Sequence, residues 1–218
     1  MSLNAKERML RRAAREIRAG MTVNLGIGLP TQVLGYLPAD LPVCLHSENG
    51  IAGVGPTLGH DDADRNLIDA GGAYVSPIPG TAYFDSAVSF AIVRSGRLDL
   101  TMLGAFEVGA NGDLANWMIP GRFSPGAGGA IELAQKAREV AVVTTHTDKK
   151  GRPKILQACT LPLTATKCVK RIFTDMAVCD IEPAGIILRE IAEGLSSRDV
   201  INATGADLIV PDGPIPTF

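Results

Sequence analysis

The amino-acid sequence predicts an α/β fold, a single three-layer domain in which helices flank a mainly parallel sheet. Short apolar segments alternate along the chain with segments of helical periodicity, and this alternation is typical of parallel strands covered by helices on both faces. The chain has 218 residues, of which 46% are hydrophobic and 20% charged, so it can bury a core of its own. We therefore treat residues 1–218 as one domain, with extended tails at 1–4 and 211–218.

The first half of the chain predicts two helices and two strands. Gly20 ends the first helix and Pro30 opens the second. The strands cover 22–28 and 42–46, and the helices cover 5–19 and 29–37. After the second strand, the glycine-rich stretch 47–59 has neither helical nor strand periodicity. It predicts a long loop with a binding function, since long structureless loops are otherwise uncommon in compact domains.

The second half of the chain continues the alternation. A polar loop exposed to solvent is predicted at 146–154, and a hairpin-like turn at 182–185. The predicted helices cover 85–94, 128–138 and 196–203, and the predicted strands cover 98–103, 139–145, 171–180 and 186–191.

The composition excludes several classes of protein. With 21 Lys and Arg against 23 Asp and Glu, the chain lacks the basic excess of a nucleic-acid binder. No apolar segment reaches the length of about 18 residues that a membrane span needs, and no signal peptide precedes the first helix. The 4 cysteines contain no C-x-x-C pair and predict reduced thiols, so we expect a cytoplasmic protein.

Glu48, in the string Ser47-Glu48-Asn49-Gly50, is the first candidate site residue. If 42–46 is a parallel strand, Glu48 lies just past its carboxyl end, which is the edge where open α/β sheets bind ligands. The glycines from Gly50 onward would let the backbone approach a substrate closely. An isolated glutamate in a loop is more often a solvated surface residue, and spacing alone leaves both interpretations open.

The second candidate is the glycine-rich string 126–130, which immediately precedes a predicted helix. Backbone N–H groups at the start of a helix are unpaired and favour negative charge, so they can hold an anion or a developing oxyanion. The glycines could equally well serve a tight connection between a strand and a helix. The sequence leaves these two interpretations open.

The string Gly26-Ile27-Gly28-Leu29-Pro30 contains half of a dinucleotide-binding fingerprint. Thr31 occupies the position of the third glycine, so the string predicts a sharp turn near the ligand edge, where Asn24 and Thr31 contribute polar groups.

The three histidines, His46, His60 and His146, lack the spacing of a metal site, and we predict no metal. His46 is interpreted as a structural, hydrogen-bonded residue. Trp117, the only tryptophan, is expected to pack against the core.

Several strings together resemble the B subunit of the family I 3-oxoacid coenzyme A-transferases, which include succinyl-CoA and 3-oxoadipate transferases. The resemblance covers about 5–210 and keeps the order and spacing of the motifs. The strings are N-L-G-I-G-L-P-T from Asn24, H-S-E-N-G-I-A-G-V-G-P from His46, N-L-I-D-A-G from Asn66, G-D-L-A-N-W-M-I-P-G from Gly112, G-A-G-G-A from Gly126, H-T-D-K-K-G-R-P-K from His146 and C-T-L-P-L-T from Cys159.

The resemblance implies a CoA-transferase-like fold, similar to that of the phosphosugar isomerases, and a ping-pong exchange of CoA between carboxylic acids. It implies that Glu48 is the nucleophile and that the Gly129 amide donates to the oxyanion. CoA would be a substrate, and no cofactor would be needed. The family's A subunit would complete the enzyme as a heterodimer or an A2B2 heterotetramer. The further positions expected to contact substrate or CoA are Ser47, Asn49, Gly50, Gly28 and Gly128.

Two positions and the stretch 164–168, which lacks the usual glycine, depart from the family pattern and leave the acyl donor and acceptor open. Glu107 replaces a usual glutamine, and Ala127 replaces a common methionine. A carboxylate at Glu107 would disfavour a carboxylate substrate if it faced the cleft, and would have no such effect on the surface. Two other functions stay open: an acyl-CoA or ring-opening hydrolase in which Glu48 or Glu107 activates water, and a noncatalytic partner subunit.

Overall fold

The computed structural model describes residues 4–124 and 126–218, which form five α-helices and thirteen strands. A short 3-10 turn, Val33–Tyr36, extends the second helix. The helices are α1 Ala5–Ala14, α2 Leu29–Gln32, α3 Ser86–Arg94, α4 Ala130–Lys136 and α5 Ser197–Ala203. The strands are β1 Thr22–Leu25, β2 Cys44–Ser47, β3 Ile51–Thr57, β4 Val75–Tyr83, β5 Leu100–Leu103, β6 Glu107–Gly109, β7 Leu114–Ala115, β8 Glu139–Val143, β9 Ile155–Leu156, β10 Arg171–Phe173, β11 Ala177–Glu182, β12 Gly185–Ile191 and β13 Leu208–Ile209.

The main sheet has ten strands in the order β13-β12-β11-β10-β8-β5-β1-β2-β3-β4. Its five central strands, from β10 to β2, are all parallel, and antiparallel hairpins extend the sheet at both sides. A second sheet of three short strands has the order β7-β6-β9. The predicted α/β class with a mainly parallel sheet is therefore confirmed, and the carboxyl ends of the central strands meet at one edge.

Helices and the small sheet cover the two faces of the main sheet. On one face, α1 packs Met9, Leu10 and Ala13 against strand side chains that include Met102. On the other face, Val142 and its neighbours pack against the small sheet and α5. Side chains in a strand alternate between faces, which is why β5 and β8 contribute to both cores. None of the helices in the described ranges has the length and apolar character needed to cross a membrane.

The predicted loop at 47–59 is wrong, because most of it is strand β3. This strand pairs antiparallel with both β2 and β4. Gly53 has a φ of +81°, and a Cβ on Gly55 would lie only 2.6 Å from the Ser76 carbonyl oxygen. Glycine is therefore required where β3 approaches β4 closely, and its abundance hid the strand periodicity.

The prediction of a single strand at 171–180 is also wrong. The structure divides this segment into two antiparallel strands, β10 and β11. The Thr174 hydroxyl accepts hydrogen bonds from the amides of Met176 and Ala177 at 3.1 and 2.9 Å, and the Thr174 amide donates to the Ala177 carbonyl at 2.9 Å. A side chain thus stabilises a turn that contains no glycine or proline, so the sequence carried no turn signal.

The ends of the predicted helices and the last residues of the chain also differ in detail. The first helix stops at Ala14, and α4 is the shorter segment Ala130–Lys136. The end of the chain lies beside β12, where the amide of Phe218 donates to the Ile191 carbonyl at 3.2 Å. These contacts fix the end of the extended segment on the main sheet.

Candidate active site

Glu48 lies at the carboxyl edge of the parallel strands, in the tight turn that joins β2 to β3. Residues 48–50 form this turn, and the Gly50 amide donates to the Ser47 carbonyl at 3.0 Å. Gly50 has a φ of +125°, and a Cβ there would lie 2.0 Å from the Phe84 carbonyl oxygen. A residue with a side chain would not fit, so glycine at this position holds the Glu48 turn against the chain that leads into α3.

One oxygen of the Glu48 carboxylate is held by Asn24 on the neighbouring strand β1. The Asn24 side-chain amide donates to Glu48 Oε2 at 2.9 Å and to the His46 carbonyl oxygen at 3.1 Å. Asn24 is only 1% exposed, so its orientation is fixed by the sheet. The second carboxylate oxygen, Oε1, makes no hydrogen bond to a described residue, and it is the atom available for chemistry.

His46 is buried behind Glu48, as the sequence analysis expected of a structural histidine. Its Nε2 lies 3.0 Å from the Ser89 hydroxyl on α3, and its Nδ1 lies 3.4 Å from the Asn24 amide nitrogen. Burial lowers the pKa of His46, although the nearby Glu48 charge opposes this shift. His46 is therefore neutral and connects the strand edge to α3.

Gly129 lies directly against Glu48. A Cβ on Gly129 would be 3.2 Å from Glu48 Cγ and 3.0 Å from the Phe90 ring. Gly129 is the residue before α4, and its neighbour Gly128 has a φ of +53°. Among the described residues, the amides of Gly128 and Gly129 have no backbone acceptor. Two N–H groups without a backbone acceptor among the described residues therefore belong to glycines that line the same cleft as Glu48, and groups of this kind can hold developing negative charge.

These elements border an open cleft of about 640 Å³. Its wall is mostly apolar or backbone, and among its described lining residues only Glu48 and Lys154 carry charge. The apolar and backbone lining comes from Gly26, Ile27, Leu29, Leu103, Gly104, Ala105, Phe106, Trp117, Gly126, Ala127, Gly128, Gly129, Ala130, Leu133 and Val143. Such a cleft excludes water from much of a bound ligand while presenting one carboxylate and one ammonium.

The sequence analysis missed Lys154 as a site residue, because it lies at the end of the polar stretch 146–154. The Lys154 ammonium donates to the Thr144 hydroxyl at 2.9 Å, and this hydroxyl donates to the Ala105 carbonyl at 3.0 Å. Burial lowers the pKa of Lys154, while the charges of Asp175 and Asp148 oppose the shift. No local sequence signal distinguishes Lys154 from the solvated lysines of the same stretch.

The remaining predicted site residues lie around Glu48 rather than in the cleft wall. Ser47 Oγ accepts from the Ala70 amide at 2.8 Å, and the Asn49 side chain donates to the Ile68 carbonyl at 2.7 Å. These two residues hold the segment around Ala70. Gly50 supports the turn from behind.

Gly28, with a φ of +103°, precedes α2 and stands between the lining residues Ile27 and Leu29. Thr31, which was expected to contribute a polar group at this edge, donates its hydroxyl to the Gly28 carbonyl at 2.9 Å. The structure thus brings Glu48, Gly128 and Gly129 together in one cleft, with Gly28 at its border.

Glu107 and Trp117 are placed differently from each other. The Glu107 carboxylate does not line the cleft; it accepts from the amides of Thr160 and Leu161 at 2.6 and 2.9 Å and so holds that loop. Trp117 does line the cleft, and its indole N–H donates to the Leu163 carbonyl at 3.2 Å. Trp117 was expected to pack against the core, and the structure adds that this residue also lines the cleft.

Comparisons of the sequence with known proteins identify one family, that of the coenzyme A transferases. The sequence profile of the family described as coenzyme A transferase matches residues 6–203. Over 203 residues the chain is 46% identical to the beta subunit of a probable coenzyme A transferase of Bacillus subtilis, covering 93% of this chain and 94% of the relative. Over 205 residues it is 46% identical to the B subunit of the 3-oxoadipate CoA-transferase of Acinetobacter baylyi, covering 94% of each chain.

A solved structure extends the comparison to the fold. An acyl-CoA transferase apoenzyme from Escherichia coli O157:H7 superposes with a TM-score of 0.79 at 20% identity. The match covers 100% of this chain and 44% of that longer chain, so the present chain spans less than half of that protein. At this identity the likeness establishes the fold alone.

Proposed function

The chain belongs to the coenzyme A transferase family as its B subunit, and we propose that it moves CoA between an acyl-CoA and a 3-oxo or short-chain carboxylic acid through Glu48. The observation that carries this proposal is the position of the Glu48 carboxylate, held by Asn24 in a cleft that Gly129 also lines. The donors we propose include succinyl-CoA and acetyl-CoA.

The first step would be attack by Glu48 Oε1 on the thioester carbonyl carbon. A carbon–oxygen bond forms, the carbonyl electron pair moves to its oxygen, and collapse breaks the carbon–sulfur bond to give an acyl-glutamyl anhydride and CoA thiolate. A carboxylate is a nucleophile in its own right, so this step needs no general base. The unpaired Gly129 amide is suited to hold the transient oxyanion, and one such donor contributes about 3 kcal/mol.

The second step would return CoA to the enzyme. The thiolate attacks the glutamyl carbonyl carbon, a carbon–sulfur bond forms, and the anhydride carbon–oxygen bond breaks to release the first carboxylic acid. The glutamyl-CoA thioester then reacts with the acceptor acid by the same two steps in reverse. Both intermediates are open to hydrolysis, so a water-poor cleft and binding energy from the rest of CoA favour transfer.

Asn24 has a specific part in this proposal. Its amide contacts Oε2 only, which leaves Oε1 directed at the substrate. The same N–H group can still donate to the glutamyl oxygen after the anhydride or thioester has formed, because an acyl oxygen is also an acceptor. Asn24 therefore orients the nucleophile through each covalent state.

We further propose that the working enzyme contains the family's A subunit, in a heterodimer or an A2B2 heterotetramer. The curated relatives described above are named as beta or B subunits, and names of this kind imply a partner. The cleft of this chain contributes one nucleophile and one oxyanion donor, and a second polypeptide would supply further contacts to CoA. Purified chain that exchanges CoA at the full rate without a partner would contradict this assembly.

The covalent intermediate provides the decisive experiment. The purified complex is incubated with acyl-CoA in the absence of an acceptor, and peptides are analysed by mass spectrometry. We expect one CoA adduct on Glu48 of this chain, no adduct in Glu48→Gln, and an unchanged adduct in the exposed control Glu139→Gln. Continuous release of free CoA without an adduct would indicate a hydrolase, and full transfer by Glu48→Ala would indicate that this chain is noncatalytic.

A further inference from the structure

A row of buried polar side chains connects helix α3 to the Glu48 carboxylate. The Ser89 hydroxyl on α3 lies 3.0 Å from His46 Nε2, and His46 Nδ1 lies 3.4 Å from the Asn24 amide nitrogen. The same amide nitrogen donates to Glu48 Oε2 at 2.9 Å. Ser89 is 0% exposed, and His46 and Asn24 are also buried, so the surrounding protein determines how these side chains are oriented.

Ser89 is a polar residue at a position that packing alone would fill with an apolar one. Helix α3 buries Ser89 and Val93, which lie one turn apart on the same face, and its other side chains from Ala87 to Val93 are apolar. Serine is less favourable than alanine inside a helix, and a buried hydroxyl loses its hydration unless it finds a partner. The partner here is the His46 ring. The hydroxyl therefore serves the contact with His46 rather than the helix itself.

The His46 ring is fixed between α3 and the sheet. His46 lies on β2, and its Cα partner on the parallel strand β1 is Asn24, so the two side chains project from the same face of the sheet. Besides its contact with Ser89, the ring lies nearly parallel to the Phe84 ring, with centroids 6.3 Å apart and planes 18° apart. The orientation of His46 is therefore set by the segment that begins α3.

The Asn24 side chain depends on His46 because its own oxygen is not held. Its amide nitrogen donates to Glu48 Oε2 and to the His46 carbonyl oxygen. The Asn24 Oδ1 atom is buried and has no hydrogen-bond partner among the described residues. Rotation of the amide is therefore limited by the contacts of its nitrogen, and His46 provides two of these, through its carbonyl group and through its ring.

We propose that Ser89 is a positioning residue for the nucleophile. Its hydroxyl fixes the His46 ring, and the ring in turn fixes the Asn24 amide. That amide holds one oxygen of the Glu48 carboxylate, so the other oxygen stays directed at the substrate. The proposal rests on the transfer function proposed above. Ser89 is not among the described residues that line the cleft, so its replacement should change the rate of the covalent step rather than the binding of the substrate.

The rate at which the CoA adduct forms on Glu48 tests the proposal. The complete complex is mixed with the better of the two proposed donors, succinyl-CoA and acetyl-CoA, for the wild type, Ser89→Ala and Ser89→Cys. We expect Ser89→Ala to slow adduct formation at saturating donor by about 10-fold and to change the KM for the donor by less than about threefold.

Two comparisons separate the hydrogen bond of Ser89 from its volume. Ser89→Cys keeps a side chain of similar size but a thiol hydrogen-bonds weakly, so it should be slowed about as much as Ser89→Ala. Ser86→Ala replaces an exposed serine of the same helix and should match the wild type. A normal rate in Ser89→Cys would assign the loss to packing and overturn the proposal, as would a normal rate in Ser89→Ala.

A double-mutant cycle shows whether Ser89 acts through Asn24. If it does, adding Ser89→Ala to Asn24→Ala should slow adduct formation by less than about twofold further, because the amide that Ser89 positions is already gone. The full loss of about 10-fold on top of Asn24→Ala would contradict this path.

Crystal structures of the wild-type and Ser89→Ala complexes separate this proposal from the transfer function. In Ser89→Ala we expect the His46 ring to turn and the contact between the Asn24 amide and Glu48 Oε2 to lengthen beyond about 3.5 Å or to be divided between two conformations. Such a change would support the positioning role even if the wild type formed no CoA adduct. An Asn24 amide that keeps this hydrogen bond in one conformation would contradict the positioning role, whatever the result of the adduct experiment.

Discussion

Gly129 and Glu48 lie beside each other in the cleft, although one directly precedes helix α4 and the other directly follows strand β2. The 3.2 Å distance from an added Gly129 Cβ to Glu48 Cγ is tighter than ordinary van der Waals contact. On the other side, the same Cβ would meet the Phe90 ring at 3.0 Å. Glu48 and the Phe90 ring can therefore lie this close to position 129 only because it has no side chain.

Gly129→Ala should lower kcat while the protein remains folded. The new methyl group must displace either the Glu48 side chain or the Phe90 ring by a few tenths of an ångström. Small misplacements of a reacting group cost up to about 100-fold in rate, so we expect a loss of about 10- to 100-fold in kcat. Gly35→Ala is the matched control, since a Cβ there meets nothing within 4 Å and should leave kcat unchanged. Full activity of Gly129→Ala would show that the close contact has no catalytic role.

Two variants of Asn24 should distinguish its effect on the orientation of Glu48 from its effect on the charge of Glu48. Asn24→Ala removes the 2.9 Å hydrogen bond to Glu48 Oε2, and we expect formation of the CoA adduct to slow by about 10-fold or more. Asn24→Asp places a second carboxylate beside Glu48, and two carboxylates in one site resist simultaneous ionisation. We therefore expect the loss of kcat/KM on the acid side to begin at a higher pH in Asn24→Asp than in the wild type. Measurement of kcat/KM from mildly acidic to mildly alkaline pH checks this prediction. Identical profiles for Asn24→Asp and the wild type would contradict the contact.

Gly50→Ala should destabilise the protein and disturb the Glu48 turn. A Cβ at this position would lie 2.0 Å from the Phe84 carbonyl oxygen, and the φ of +125° is unfavourable for any side chain. We expect the free energy of unfolding in urea to fall by about 3 kcal/mol or more. Gly59→Ala, where no atom lies within 4 Å of the new Cβ, should change it by less than about 1 kcal/mol. A small effect at Gly50 would mean that the turn can move away from Phe84.

His146 should make the folded protein sensitive to mild acid. Its ring is 0% exposed between the hydroxyls of Thr174 and Thr204, and burial lowers the pKa of His146 to about 4, against a partial opposing effect of Asp175. As the pH falls, His146 is protonated in the unfolded chain before it is protonated in the folded protein. The contribution of His146 to the free energy of unfolding is therefore fully present above about pH 6.5 and is lost as the pH falls toward 4. The loss should reach about 3 kcal/mol.

Urea unfolding measured at several pH values between neutrality and the lowered pKa checks this prediction. His146→Gln retains a polar side chain that does not titrate, so its stability should vary less with pH over this window, even if it is lower at neutral pH. His60→Gln is the control, since His60 is exposed and should leave the pH dependence of the wild type intact. A parallel decline in His146→Gln would assign the acid sensitivity to other groups.

Much of the fold could be predicted from local sequence. Strands β5 and β8 consist mainly of apolar residues, and helix α3 begins at the N-cap Asp85 and ends before Gly96, so these elements follow from composition and end signals. The secondary-structure predictions failed where a tertiary feature, either a side-chain hydrogen bond or the close approach of two strands, determined the local structure. Thr174 turns the chain without glycine, and β3 contains glycines because β4 lies so near.

Local sequence marks Glu48 and Gly129 as candidates and leaves their roles open, and the family resemblance implies those roles. Glu48 follows a buried strand and Gly129 precedes a helix, and both features can be read from the residues on either side of them. Tertiary packing alone brings these two groups together, aims Asn24 at one oxygen of the carboxylate, and places Lys154 in the wall of the same cleft. The reason is physical: such contacts depend on the order in which β8, β5, β1 and β2 pair in the sheet, and strand order results from packing of the whole core rather than from any local segment.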